Sequence, residues 1–131
     1  MRVALIGAGH LGSIHGKLLR GMDGVELCAV VDPDEAAAAR AAGRSGAGLY
    51  PDHAALLSSD DAPQAAVVAA PTTLHHAIAA ELLSAGVHCL VEKPITKTVE
   101  QARELVDLAE GNGLALAVGH VERYNPAMIA L

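Results

Sequence analysis

Hydrophobic residues alternate between two patterns along this chain. Short continuous apolar runs at residues 2–6, 25–31, 65–70, 87–92 and 114–118 suit strands buried on both faces. Between them lie segments of helical character. Leu11, Ile14, Leu18 and Leu19 recur at helical spacing within residues 10–22, and Gly21 and Gly24 punctuate the end. An alanine-rich helix at 34–42 stops at Gly43, a helix at 74–85 stops at Gly86, and a helix at 98–110 runs into Gly111-Asn112-Gly113. Residues 46–50 predict a short edge strand, 51–57 a short helix opened by Pro51, and 58–63 a polar loop. Strands separated by helices imply parallel pairing through right-handed crossovers. The expected fold class is α/β, a doubly wound parallel sheet of about six strands with helices on both faces.

Composition narrows the function. A chain of 131 residues accommodates one domain, and 52% hydrophobic content with a mean hydropathy of +0.34 excludes intrinsic disorder. Nine Lys and Arg against fifteen Asp and Glu give a net charge of −6, which argues against nucleic acid or an anionic membrane as partner. Two tyrosines are the whole aromatic complement, too few for a base-stacking platform. No apolar run approaches the roughly 18 residues that span a bilayer, and the start of the chain lacks a signal-peptide core, so the sequence reads as mature and cytoplasmic. Cys28 and Cys89 sit in strand-like runs and read as buried free thiols.

Three pieces carry chemistry. Gly7-Ala8-Gly9-His10-Leu11-Gly12 fits G-x-G-x-x-G between a predicted strand and a predicted helix. In that setting Gly7 permits the tight turn, Gly9 admits a pyrophosphate, Gly12 lets helix and strand approach, and the amides of His10 and Leu11 open the helix toward phosphate. Asp32 follows Gly12 by twenty residues at the end of strand two, where a carboxylate accepts from an adenosine ribose. A 2′-phosphate would meet this charge at a cost of about 1–4 kcal/mol, and Pro33 supplies no guanidinium to offset it, so NAD is favoured over NADP. Asp32 also suits a helix cap before proline. Glu92-Lys93-Pro94 closes the fifth strand, at the sheet edge where open α/β folds bind ligands. Lys93 there suits polarising or deprotonating a substrate hydroxyl, the competing reading being a surface Glu-Lys pair.

In this order the pieces resemble the Gfo/Idh/MocA oxidoreductases, the family of glucose-fructose oxidoreductase and inositol dehydrogenase. Ala70-Pro71-Thr72-Thr73-Leu74-His75 is similar to the family's T-P-N-x-x-H segment, with Ala70 and Thr72 departing from it. Gly119-His120-Val121-Glu122-Arg123-Tyr124-Asn125-Pro126 is similar to its domain-joining segment. The resemblance implies a Rossmann-type domain over residues 1–118, with 119–131 beginning the connection to a C-terminal substrate domain absent from this chain. It further implies that Pro71 and Thr72 border the cofactor, His75 lines the same cleft, Glu92 approaches the nicotinamide side and Lys93 is the catalytic contact to the reacting hydroxyl. The implied whole is an NAD-dependent dehydrogenase of a sugar, polyol or nucleotide sugar, a homo-oligomer that needs no metal, of which this piece alone turns over little.

The other histidines have plainer readings. His15 and His53 read as helix-surface residues, and His75 and His76 are adjacent and cannot share a helix face. No spacing suits zinc. His120 is a further titratable group near the cleft, or a hydrogen-bonded structural one. Two competing functions stay open: a module that senses NAD(H) without chemistry, and a methyltransferase using S-adenosylmethionine, against which Glu92-Lys93-Pro94 argues.

Overall fold

Alternating side-chain directions on a strand demand cover on both faces wherever every position is apolar. The computed structural model, which describes residues 1–130, meets that demand with helices on either side of one sheet. Its strands are β1 (Arg2–Ile6), β2 (Glu26–Val31), β3 (Gly48–Tyr50), β4 (Ala65–Val68), β5 (His88–Val91) and β6 (Leu116–Val118). All pair in parallel, in the order β3-β2-β1-β4-β5-β6. The helices are α1 (His10–Arg20), α2 (Glu35–Ala42), α3 (His53–Leu57), α4 (Thr72–Ser84), α5 (Val99–Gly111) and α6 (Pro126–Ile129).

Val3 and Leu5 of β1 pack with α2 alanines and Leu19 of α1, whereas Ala4 and Ile6 pack with Ile78, Leu82 and Leu105 of α4 and α5. The sheet therefore divides two cores. Because β2 and β4 flank β1, the chain reverses its winding there, and the carboxyl ends of β1 and β4 open the crevice in which such sheets bind ligands.

Several boundaries differ from the expected ones. α3 begins at His53, two residues after Pro51, because Asp52 caps it: the Ala55 amide donates to Asp52 Oδ1 at 2.8 Å. α4 begins at Thr72 directly behind Pro71, and α1 ends at Arg20, where the Gly21 amide returns to the Leu18 carbonyl.

The packing of α1 departs from the usual pattern of an apolar face turned inward. Of the four apolar residues that predicted this helix, three face outward: Leu11, Ile14 and Leu18 are 46%, 46% and 57% exposed. The buried side is Gly12, Gly16 and Leu19. A Cβ at Gly12 would sit 2.0 Å from the Gly7 carbonyl oxygen and one at Gly16 2.8 Å from the Ala41 carbonyl oxygen, so the helix docks backbone to backbone through its smallest residues. Beside it the α1 side of β5 and β6 lies open, a groove of about 490 Å³ walled by Leu18, Met22, Leu90 and Ala117.

Cys28 and Cys89 are free and buried, and burial pushes the Cys89 thiol up to about 12.

Candidate cofactor-binding and active site

The turn from β1 into α1 has the shape an anion needs. Gly7 takes φ +94°, and a Cβ there would lie 2.7 Å from the Ala69–Ala70 backbone of the neighbouring loop. Gly9 is exposed with nothing within 4 Å of where its Cβ would be, so the outer face of the turn is open backbone. α1 starts at His10 with no side-chain cap and no acidic residue in its first turn. The amides of that turn, with the positive end of the helix dipole, are left to a ligand anion.

Asp32 stands just past β2 and is partly buried. The Ala8 amide donates to its Oδ2 at 2.7 Å and the Asp34 amide to its Oδ1 at 2.8 Å. The carboxylate thus splints the glycine turn while keeping lone pairs for a ligand. It does not cap α2; Asp34 does, accepting from the Ala36 and Ala37 amides at 2.9 and 3.1 Å. Beyond Asp32 lies a hollow of about 330 Å³ walled by Pro33, Leu49, Tyr50 and Pro51, with Glu35 at its edge. Tyr50 is fixed by donating its hydroxyl to Asp61 Oδ2 at 2.6 Å, a bond that raises the phenol's pKa. Apolar walls beside a carboxylate suit a purine and its ribose, so the residues present fit a dinucleotide lying from Asp32 across the glycine turn.

The second loop follows β4. Pro71 is exposed and Thr72 half-buried at the start of α4, a helix also without a side-chain cap. His75 is 1% exposed. Its Nε2 lies 2.7 Å from the Ala70 carbonyl oxygen and its Nδ1 3.0 Å from the Pro94 carbonyl oxygen. Set between these two carbonyls, the His75 ring ties the Pro71 loop to the loop after β5.

At the end of β5, Glu92 is 6% exposed and Lys93 is exposed. Glu92 Oε1 accepts from His15 Nε2 at 2.7 Å, and Glu92 Oε2 accepts from the Lys93 amide at 3.1 Å. His15 is thus partly buried, and it joins α1 to the end of β5. Sequence reasoning missed it, although its place three residues past Gly12 and one before Gly16 puts it beside the buried face of α1. His53 bonds exposed Glu81 at 2.9 Å, and His120 is exposed after β6.

Residues 1–120 match the model of an oxidoreductase family with an NAD-binding Rossmann fold, Gfo/Idh/MocA. The chain belongs to that family. Within the Gfo/Idh/MocA oxidoreductases it is 38% identical to the UDP-N-acetylglucosamine 3-dehydrogenase of Acidithiobacillus ferrooxidans, over 98% of this chain and 39% of the relative. Among solved structures it is similar to GenD2 from gentamicin A biosynthesis in complex with NAD, at TM-score 0.92 and 35% identity, over 99% of this chain and 37% of that one. It is also similar to the WlbA dehydrogenase of Chromobacterium violaceum in complex with NADH and UDP-GlcNAcA, at TM-score 0.90 and 30% identity, over 99% of this chain and 38% of that one. The chain thus spans about two fifths of the length of the relatives it matches. This Gfo/Idh/MocA chain is an NAD-binding Rossmann domain with an all-parallel sheet. Among its described residues no helix is long and apolar enough to cross a membrane.

Proposed function

We propose that this domain is the cofactor half of a dehydrogenase that moves a hydride between nicotinamide and the hydroxyl-bearing carbon of a sugar, polyol or nucleotide sugar. The observation that carries the reading is the meeting, at one sheet edge, of an uncapped glycine turn splinted by Asp32 and an exposed lysine, Lys93, at the end of β5. Bound NAD supplies the hydride acceptor. The amides of Gly9, His10, Leu11 and Gly12 hold its diphosphate, Asp32 holds the adenosine ribose, and Pro71 and Thr72 border the nicotinamide half. Lys93 contacts the reacting hydroxyl and moves its proton, a role that needs an ammonium or amine within hydrogen-bond reach of that oxygen. Glu92, with both oxygens engaged inside the domain, fixes Lys93 rather than touching substrate.

The substrate class is supported by the relatives named for a UDP-sugar dehydrogenase and a complex with UDP-GlcNAcA. Residues 119–131, a 3-10 turn over Val121–Tyr124 and the exposed α6, begin the connection to a substrate-reading domain in this proposal.

Thermal melting of the chain tests the cofactor half. NADH at 100 times its dissociation constant stabilises the folded state by about 2.7 kcal/mol, so an unchanged melting temperature overturns the reading. In the intact oxidoreductase, Lys93→Met should abolish turnover and leave NADH affinity nearly unchanged; retained turnover removes Lys93 from the chemistry.

A further inference from the structure

We propose that His15 is a positioning residue for Lys93, acting through the Glu92 carboxylate; the inference rests on the role given to Lys93 above. The Glu92 side chain is 7% exposed. A carboxylate that deep needs a partner on each oxygen. It has one on each: His15 Nε2 at 2.7 Å from Oε1, and the Lys93 amide at 3.1 Å from Oε2. The oxygen that His15 does not hold is thus the acceptor for the backbone of the residue whose side chain reaches the cleft.

The donor comes from far away in sequence. His15 and Glu92 are 77 positions apart, and His15 rides on the helix that the glycine turn opens. The end of β6 closes the remaining side: a Cβ at Gly119 would lie 3.2 Å from Glu92 Cδ and from both carboxylate oxygens. Three separate segments therefore fix one carboxylate, and among the described residues His15 is the only side chain that donates to it. With the imidazole gone, Oε1 has no partner, the carboxylate is free to turn toward water, and the Lys93 amide loses its acceptor. His15 thereby couples the segment that grips the diphosphate to the segment that presents the lysine, so that both loops share one geometry.

Hydrogen exchange on the NADH-saturated chain tests this, with the Val67 amide in the centre of the sheet as internal reference for global opening. In H15A the Lys93 amide should exchange about tenfold faster relative to Val67, because a local hydrogen bond has gone while the core has not. H15Q, whose carboxamide N–H can replace the imidazole donor, should restore slow exchange. H15F, which keeps an aromatic ring in the same place but carries no N–H, should also accelerate Lys93. Equal acceleration at Lys93 and Val67 in H15A would mean that His15 only fastens α1 to the sheet, and it overturns the proposal. So does an unchanged Lys93 amide in H15F, which decides the matter alone should H15A not fold. Failure of the unmodified chain to bind NADH sinks the cofactor reading instead, a result visible before any variant is made.

Discussion

Asp32→Ala separates the structural from the ligand role of that carboxylate. In the free chain the substitution removes the acceptor 2.7 Å from the Ala8 amide, and Ala8 is 3% exposed, so water does not readily replace it. A buried amide left without a partner costs about 1–3 kcal/mol. The second lost bond, to the exposed Asp34 amide, is replaced by water and adds little. With about 2.1 cal/mol/K of unfolding entropy per residue over 131 residues, the melting temperature should fall by about 4–11 °C. The assay is thermal melting by far-UV circular dichroism, with and without NADH and NADPH. The alanine variant should melt early without ligand and lose most of the NADH-induced rise. Asp32→Asn retains one acceptor oxygen for Ala8 and so should lose less stability. Having shed the charge that repels a 2′-phosphate, worth about 1–4 kcal/mol, it should also discriminate less between NADH and NADPH. An alanine variant that melts like the parent refutes the splint, and an asparagine variant with undiminished discrimination refutes the electrostatic account.

The two other loop glycines should part company. Gly9→Ala, whose Cβ meets nothing within 4 Å, should melt normally yet bind NADH more weakly by tenfold or more, about 1.4 kcal/mol. Gly12→Ala, whose Cβ would lie 2.0 Å from the Gly7 oxygen, should lose both stability and NADH binding, and a normally melting Gly12→Ala would show that α1 has room to move. The cysteines give a pH prediction. Burial raises the Cys89 thiol from 9.0 to about 12, so the folded state holds that proton longer than the unfolded chain; its contribution is whole below pH 9 and is lost as pH climbs toward 12. Urea unfolding between pH 8 and 11 should show falling stability, less steeply in Cys89→Ala. Ellman's reagent at pH 8 should reach neither Cys28 nor Cys89 until the chain unfolds.

How far the sequence spoke depended on distance along the chain. The strand and helix order, the glycine turn and Asp32 were legible because each is written in neighbouring residues, and the strand ends that differ do so by a few positions. The outward turn of Leu11, Ile14 and Leu18 on α1 was not legible, because a hydrophobic period marks an apolar face without saying which face a helix buries. Gly12 and Gly16 make the closest contacts and carry no hydrophobic signal at all. His75 was placed in the cleft on likeness alone, and its burial between the Ala70 and Pro94 carbonyls depends on two loops brought together by the β4–β5 pairing.

By itself the sequence determined the α/β class and the family, since local periodicity and a handful of short motifs suffice for those. Only the tertiary structure decided that His15 meets Glu92, that Asp34 rather than Asp32 caps α2, and that Glu92 points into the domain. Those contacts join residues far apart or compare near neighbours in space, and a parallel sheet with crossovers fixes such distances only once every strand has taken its place.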